Sequence, residues 1–226
     1  MRSKLIVMLT HNDQTVKNAI EVFDECKHLP VKCWGFKDIG LKQEEMKALI
    51  KSMKDAGKTT FLEVVTYSEE ECMRGAKLAV EVGFDYLMGT IHYKSVHDFL
   101  KDYDIKYMPF CGKVSGNPSI LEGTNEEIID NAKSILKNGV FGFDLLAYRH
   151  TVNGEKLARE FCSAIDAPTV IAGSINSFER IKTMSEINPW GFTMGSALFE
   201  KKFDLKASFV KNLELVTEYI DILERG

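Results

Sequence analysis

Three ionisable residues stand inside or at the end of apolar runs, where a packed core does not favour charge. Glu63 sits in Phe61-Leu62-Glu63-Val64-Val65, Asp144 in Phe141-Gly142-Phe143-Asp144-Leu145-Leu146, and Lys37 follows Cys33-Trp34-Gly35-Phe36 with Asp38 beside it. A charge taken out of water needs a partner, so the three are expected to find one another. Two chemistries suit them. One is a structural Lys–Glu–Asp network filling a barrel interior. The other is a proton-transfer set in which Lys37 and one carboxylate have shifted pKa values. A second tier contains His92 after Gly89-Thr90, His11 after Thr10, Lys113 in the polar stretch Gly112–Pro118, and Arg149 in Tyr148-Arg149-His150. The histidines offer acid/base or hydrogen-bonding groups, and Arg149 offers a fork for a carboxylate or phosphate; each also reads as a surface residue. The Gly112–Pro118 stretch suits either a lid or a surface insertion. His28 and His97 fall in or beside helices and read as structural.

Near the C-terminus two short apolar runs end in Gly-Ser: Val170-Ile171-Ala172-Gly173-Ser174 and Phe192-Thr193-Met194-Gly195-Ser196. A strand ending this way and feeding a helix leaves free backbone N–H groups at a positive helix end, which suits an anion. Gly173, Ser174, Gly195 and Ser196 are the candidate phosphate-binding residues. A metal centre is not expected, because the candidate ligands are scattered and lack HxH, HExxH or paired-cysteine spacing. An ion held by Glu63 and Asp144 would compete with Lys37. Cys111, in an apolar run, reads as a packing thiol rather than a nucleophile.

The elements that must position these residues repeat one theme: a short apolar run, a polar turn, then a helix with apolar residues three and four apart. Eight strands are expected, over Leu5–Thr10, Val31–Phe36, Thr59–Val65, Tyr86–Thr90, Tyr107–Cys111, Phe141–Leu146, Thr169–Ala172 and Gly191–Met194. Helical faces run through Val16, Ala19, Ile20 and Phe23; Met46, Leu49, Ile50 and Met53; Ile128, Ala132, Ile135 and Leu136; Phe178, Ile181 and Met184. The last face is Leu205, Phe209, Leu213, Val216, Ile220 and Leu223. Ser68 with Glu71 and Thr124 with Glu127 form capping-box patterns, Asn176 with Glu179 a looser one, and Gly57, Gly83 and Gly139 follow helices. Eight βα units imply a single α/β domain over residues 1–226, a (β/α)8 TIM barrel, in which the Gly-Ser ends fall at strands seven and eight where a phosphate usually rests. An open doubly wound sheet would place a Gly-rich loop after the first strand, and that turn here is Thr10-His11-Asn12-Asp13.

The 226 residues are 45% hydrophobic and 27% charged, which excludes a disordered chain, and the formal charge of −4 argues against nucleic acid as a bulk partner. No apolar run approaches the ~18 residues of a membrane span. The start lacks the apolar region and cleavage site of a signal peptide. Five widely spaced cysteines read as reduced thiols, so the expected location is cytoplasmic.

Two stretches resemble the ribulose-phosphate-binding barrel group and, within it, the bacterial N-acetylmannosamine-6-phosphate 2-epimerases. One runs from Thr66-Tyr67-Ser68-Glu69-Glu70 through Ala76-Lys77-Leu78 to Val82-Gly83-Phe84-Asp85-Tyr86 and Gly89-Thr90. The other runs from Val170 through Ser177 and from Gly191 through Phe199. The resemblance implies paired phosphate loops and places Lys37 where that family's catalytic lysine ends its second strand. The family's glutamate before the seventh-strand glycine is Ala172 here, and its Asp-Ala-Thr motif has no clear copy.

Together these features predict an isomerase or epimerase acting on a small phosphorylated sugar or related metabolite. Lys37 with Glu63 or Asp144 would move a proton next to a carbonyl, and His92 would polarise that carbonyl. His11, Lys113 and Arg149 would contact the rest of the substrate. No cofactor is expected, and the expected partner is the phosphorylated substrate rather than nucleic acid or membrane, with self-association into a homo-oligomer left open. Two alternatives remain: a Schiff-base aldolase using a desolvated lysine, and a phosphometabolite-binding protein without catalysis.

Overall fold

The computed structural model describes residues 3–225. Eight parallel strands, β1 (Lys4–Met8), β2 (Cys33–Lys37), β3 (Thr59–Val64), β4 (Tyr86–Gly89), β5 (Lys106–Met108), β6 (Phe143–Leu145), β7 (Thr169–Ile171) and β8 (Gly191–Met194), neighbour one another in the order β6-β7-β8-β1-β2-β3-β4-β5. The remaining seam closes through Phe141 N–H to Tyr107 O (3.0 Å), Asp144 N–H to Pro109 O (3.1 Å) and a bridge between Phe110 and Asp144. Pro109 has no N–H to donate, so β5 ends sooner than the expected Tyr107–Cys111 run.

Around the strands lie α1 (Ala19–Cys26), α2 (Gln43–Asp55), α3 (Glu69–Val82), α4 (Lys94–Leu100), α5 (Asn125–Leu136), α6 (Gly154–Ala164), α7 (Phe178–Ile187), α8 (Ser196–Phe199) and α9 (Phe209–Arg225). The Thr124–Glu127 box forms as expected: Glu127 N–H donates to Thr124 Oγ1 (3.2 Å) and Thr124 N–H to Glu127 Oε2 (2.7 Å). Ser68 caps α3 by accepting Glu71 N–H (3.3 Å), but the Glu71 carboxylate returns to the Ser68 hydroxyl rather than to its backbone. Three expectations shift. Val16 precedes α1. α7 is capped by Ser177 Oγ, which accepts Arg180 N–H (3.3 Å), rather than by Asn176. Leu205 lies outside α9 and is 77% exposed. It sits in a loop whose path is set by buried Asn212: Oδ1 accepts Phe203 and Asp204 N–H, and Nδ2 donates to Asp204 and Ser208 carbonyls.

Strand alternation divides the core into two layers. Trp34, Phe36 and Phe143 pack outward under the helices, and Phe143 meets Phe161 of α6 edge-on. Ile6, Met8, Cys33, Phe61, Met88, Met108 and Val170 fill the lumen. Aromatic rings plug the end where the strands begin: Phe61 stacks on Tyr86 with centroids 4.4 Å apart, Trp190 meets Phe141 edge-on at 6.0 Å, and the Lys4 ammonium sits 4.2 Å from the Trp190 centroid. Lys37 and Glu63 lie toward the opposite, C-terminal end of their strands. Gly35 is needed for this packing, because a Cβ there would lie 2.7 Å from Met8 Sδ and 2.8 Å from the Phe61 carbonyl oxygen. Gly35→Ala is therefore expected to cost about 1–3 kcal/mol through overpacking, read as a lowered urea midpoint at unchanged slope.

Candidate active site

The loops after the strands enclose a cavity of about 380 Å3 at the C-terminal mouth of the barrel. Its lower wall comes from strand register: Lys37 on β2 pairs with Glu63 on β3, so the two side chains stand together on the lumen face. Lys37 is almost fully buried, and its Nζ donates to Asp13 Oδ1 at 3.1 Å. Asp13 arrives on a short hairpin that pairs Thr10–His11 with Gln14–Thr15 and turns at Asn12-Asp13, both with left-handed φ (51° and 59°). Thr15 Oγ1 locks the hairpin to β2, accepting Lys37 N–H (2.9 Å) and donating to Lys37 O (2.8 Å).

Asp144 on β6 is fully buried, and among the described residues neither carboxylate oxygen makes a well-formed hydrogen bond, although the nearby Gly89 backbone N–H favours its charged form slightly. Burial, reinforced by the negative charge of Glu63, pushes its pKa well above the ordinary aspartate range, and Lys37 opposes the shift. Burial alone would lower the Lys37 pKa, but Glu63, Asp13 and Asp144 more than offset it, and the ammonium is held more firmly than in a free lysine. The arrangement is a fixed positive charge flanked by carboxylates, with an aspartate inclined to carry a proton.

The opposite wall is backbone. Gly173 and Ser174 both take left-handed conformations (φ 87° and 53°), and Gly195-Ser196 follows β8. No loop or cap hydrogen bond takes up the amide N–H of Gly173, Ser174, Gly195 or Ser196. The two turns differ from expectation in one respect. Gly195-Ser196 leads straight into the four-residue α8, whereas α7 starts only at Phe178, so Gly173 and Ser174 present their amides from a loop rather than a helix end. Arg180 braces that loop from outside, donating to Ser174 O and to Asn176 Oδ1. Arg149 lines the cavity and lies across Gly173, where a Cβ would come within 3.0 Å of its Cγ. Among the described residues its guanidinium has no ion pair or hydrogen bond.

The structure thus brings Lys37, Glu63, Arg149, Gly173, Ser174, Gly195 and Ser196 to one cavity, with Asp144 buried beside Lys37 and Glu63. Three candidates are elsewhere. His92 packs beside His97 and Tyr107, ring centroids 6.1 and 6.4 Å away, because the loop after β4 turns its ring away from the cavity; burial and His97 lower its pKa. His11 points to Glu200 (3.8 Å) and Phe199. Lys113 is exposed and faces Glu122 (3.4 Å) across a second hairpin, Lys113–Ser115 with Ile120–Glu122. The tip of that hairpin, Pro118 and Ser119, does line the cavity. Asp13, Ser119 and Glu200 are cavity residues that sequence reasoning missed; only the Asn-Asp turn dipeptide, typical of two-residue hairpins, carried a signal. Burial raises the Cys111 thiol far above its usual range, so it holds no thiolate. Among the described residues no cluster of three metal-ligating side chains forms, and no helix is long and apolar enough to cross a membrane.

No protein-family model matches the chain, and no curated protein matches its sequence. Solved structures do match over nearly its whole length. N-(5'-phosphoribosyl)anthranilate isomerase from Pyrococcus furiosus superposes with a TM-score of 0.63 at 13% identity, over 99% of this chain and 100% of that one. Orotidine 5'-phosphate decarboxylase from Pyrococcus horikoshii OT3 gives 0.69 at 10%, over 96% and 99%, and the Lactobacillus acidophilus enzyme 0.62 at 15%, over 98% and 100%. The fold is a (β/α)8 barrel. At these identities the likeness concerns the fold.

Folded Asp144 keeps its proton at pH values where the unfolded chain has lost it. Its contribution to stability is therefore present at low pH and falls as pH rises from the ordinary aspartate range through the elevated native pKa. Asp144→Asn is expected to be more stable than the parent by about 1–3 kcal/mol at neutral pH, with the gain vanishing near pH 4. Urea unfolding across that range measures it; an equal gain at all pH values contradicts the assignment.

Proposed function

We propose that this barrel is an enzyme acting on a small phosphorylated metabolite, a sugar phosphate or a relative, by proton transfer at a carbon next to a carbonyl. The observation that carries the reading is that one cavity has, on facing walls, the unpartnered Gly173-Ser174 and Gly195-Ser196 amides with unpaired Arg149, and the Lys37–Glu63 pair above buried Asp144. The first wall suits a phosphate: several N–H donors and a guanidinium converge without an internal acceptor. The second suits acid–base work, since Glu63 is placed to accept a proton and Asp144 to carry one. Lys37 supplies the positive charge that stabilises an enolate oxygen.

The Schiff-base alternative requires a neutral lysine, and the Glu63 and Asp13 carboxylates favour the charged form of Lys37, which weighs against it. The named substrates of the similar structures, a phosphoribosyl anthranilate and an orotidine phosphate, share a phosphorylated sugar and fit this reading. The finer epimerase resemblance enters here only through Lys37 and the two Gly-Ser turns. Ala172 lines the cavity where that family has a glutamate, so Glu63 takes the part of the base in this reading.

Two measurements test the proposal. Sugar phosphates are expected to raise the melting temperature while their unphosphorylated counterparts do not. Arg149→Met is expected to weaken that binding roughly 10–100-fold, and Gly173→Asp to abolish it in a folded protein. If phosphorylated and plain sugars behave alike, the phosphate wall is wrongly assigned. With a binding sugar phosphate in deuterated water, the protein is expected to exchange the carbon-bound proton next to the carbonyl. Glu63→Gln and Lys37→Ala should each slow that exchange by roughly 100-fold or more. Tight binding without exchange would mean a binding protein rather than an enzyme.

A further inference from the structure

The hairpin whose tip covers the cavity is held very unevenly. At its base, Val114 and Leu121 are buried in the core, Thr151 N–H donates to Leu121 O (3.2 Å), and His150 Nε2 bonds the Gly123 carbonyl (2.8 Å). At its tip, residues 116–118 are exposed, and among the described residues the hydrogen bonds from the tip to the body converge on one side chain. Tyr67 Oη, from the loop after β3, donates to Gly116 O (2.8 Å) and lies 2.7 Å from Ser119 Oγ. One phenol can satisfy both by donating to the carbonyl and accepting from the serine hydroxyl. Tyr67 is itself fixed, because Tyr93 Oη from the loop after β4 donates to the Tyr67 carbonyl (2.8 Å).

A hairpin anchored at its base and tied at its tip by one hydroxyl is a hinged flap with a latch. We propose that Tyr67 is the positioning residue that holds this hairpin shut over the cavity, keeping Pro118 and Ser119 against it, and that breaking its two hydrogen bonds opens the mouth without disturbing the barrel. The inference rests on the cavity being the ligand site. Pro118 and Ser119 of the flap line the same cavity as Arg149 and the Gly173-Ser174 turn, so closure would help exclude water from a bound anion. Tyr67 touches no group assigned to the reaction, and its role is control of access and residence.

Amide hydrogen exchange of the intact chain tests this without any substrate. Tyr67→Phe keeps the ring and removes the hydroxyl. Exchange in residues 113–122 is expected to rise roughly tenfold, equivalent to about 1.4 kcal/mol of lost closure, while α2 and α5 exchange as in the parent. Ser119→Ala removes one of the two bonds and should give a smaller rise. The double variant should exchange no faster than Tyr67→Phe alone, since both changes act on one latch. Unchanged exchange in the hairpin, or a uniform rise across the barrel, overturns the proposal. Saturating ribose 5-phosphate serves as the ligand probe: it is expected to slow hairpin exchange in the parent and less so in Tyr67→Phe. If it protects neither protein while the substitution still frees the hairpin, the latch stands and the phosphate-site reading fails.

Discussion

The fully buried Asp144 carboxyl, without a well-formed hydrogen bond to either oxygen among the described residues, is the constraint around which the mouth of this barrel is arranged. An isolated anion there would be expelled or neutralised. The structure answers by letting it carry a proton and by placing Lys37 where its charge opposes the shift. Lys37 in turn needs Glu63, in register on the adjacent strand, and Asp13, delivered by a hairpin that is itself fastened to Lys37 through Thr15. The cluster is costly for stability, as groups poised for chemistry commonly are. The aromatic plug at the far end of the lumen keeps water from approaching it from below.

The cavity is built from two kinds of material. Its anion-facing wall is mostly main chain, with left-handed residues at 173 and 174, and Arg149 beside it has no ion pair or hydrogen bond among the described residues. Its opposite wall is side chains fixed by strand register. Main chain recognises a group present in many metabolites, whereas the side-chain wall determines which reaction follows. The general part sits on β7 and β8 and the particular part on β2, β3 and β6, so a change in one wall need not disturb the other.

Much of this was legible in the chain. Glu63 and Asp144 stood out because a carboxylate between residues seeking burial needs a partner whichever face of the strand it is on. The Gly-Ser pairs were readable because they follow short apolar runs at βα spacing. Other features were hidden for identifiable reasons. His92 follows a strand end as Lys37 does, yet one turn of the loop sends its ring to pack on Tyr107. Leu205 matched a helical period by coincidence, while the loop containing it is organised by Asn212, nine residues from Phe203. Asp13 showed only as part of a turn dipeptide, and Ser119 and Tyr67 not at all, because their partners lie far off in the chain: Lys37 is 24 residues from Asp13, Tyr67 52 from Ser119, and Gly116 49 from Tyr67.

The sequence by itself determined the eightfold βα alternation, the strands bearing the buried charges and the two Gly-Ser ends, because periodicity and local backbone preference act over a few residues. Tertiary structure alone decided which charges meet, which histidine is turned away, that Arg149 is left unpaired, and that a tyrosine from one loop ties down the hairpin of another. Those outcomes depend on barrel closure, which brings distant loops to one mouth, and a contact between loops leaves no local period in the chain.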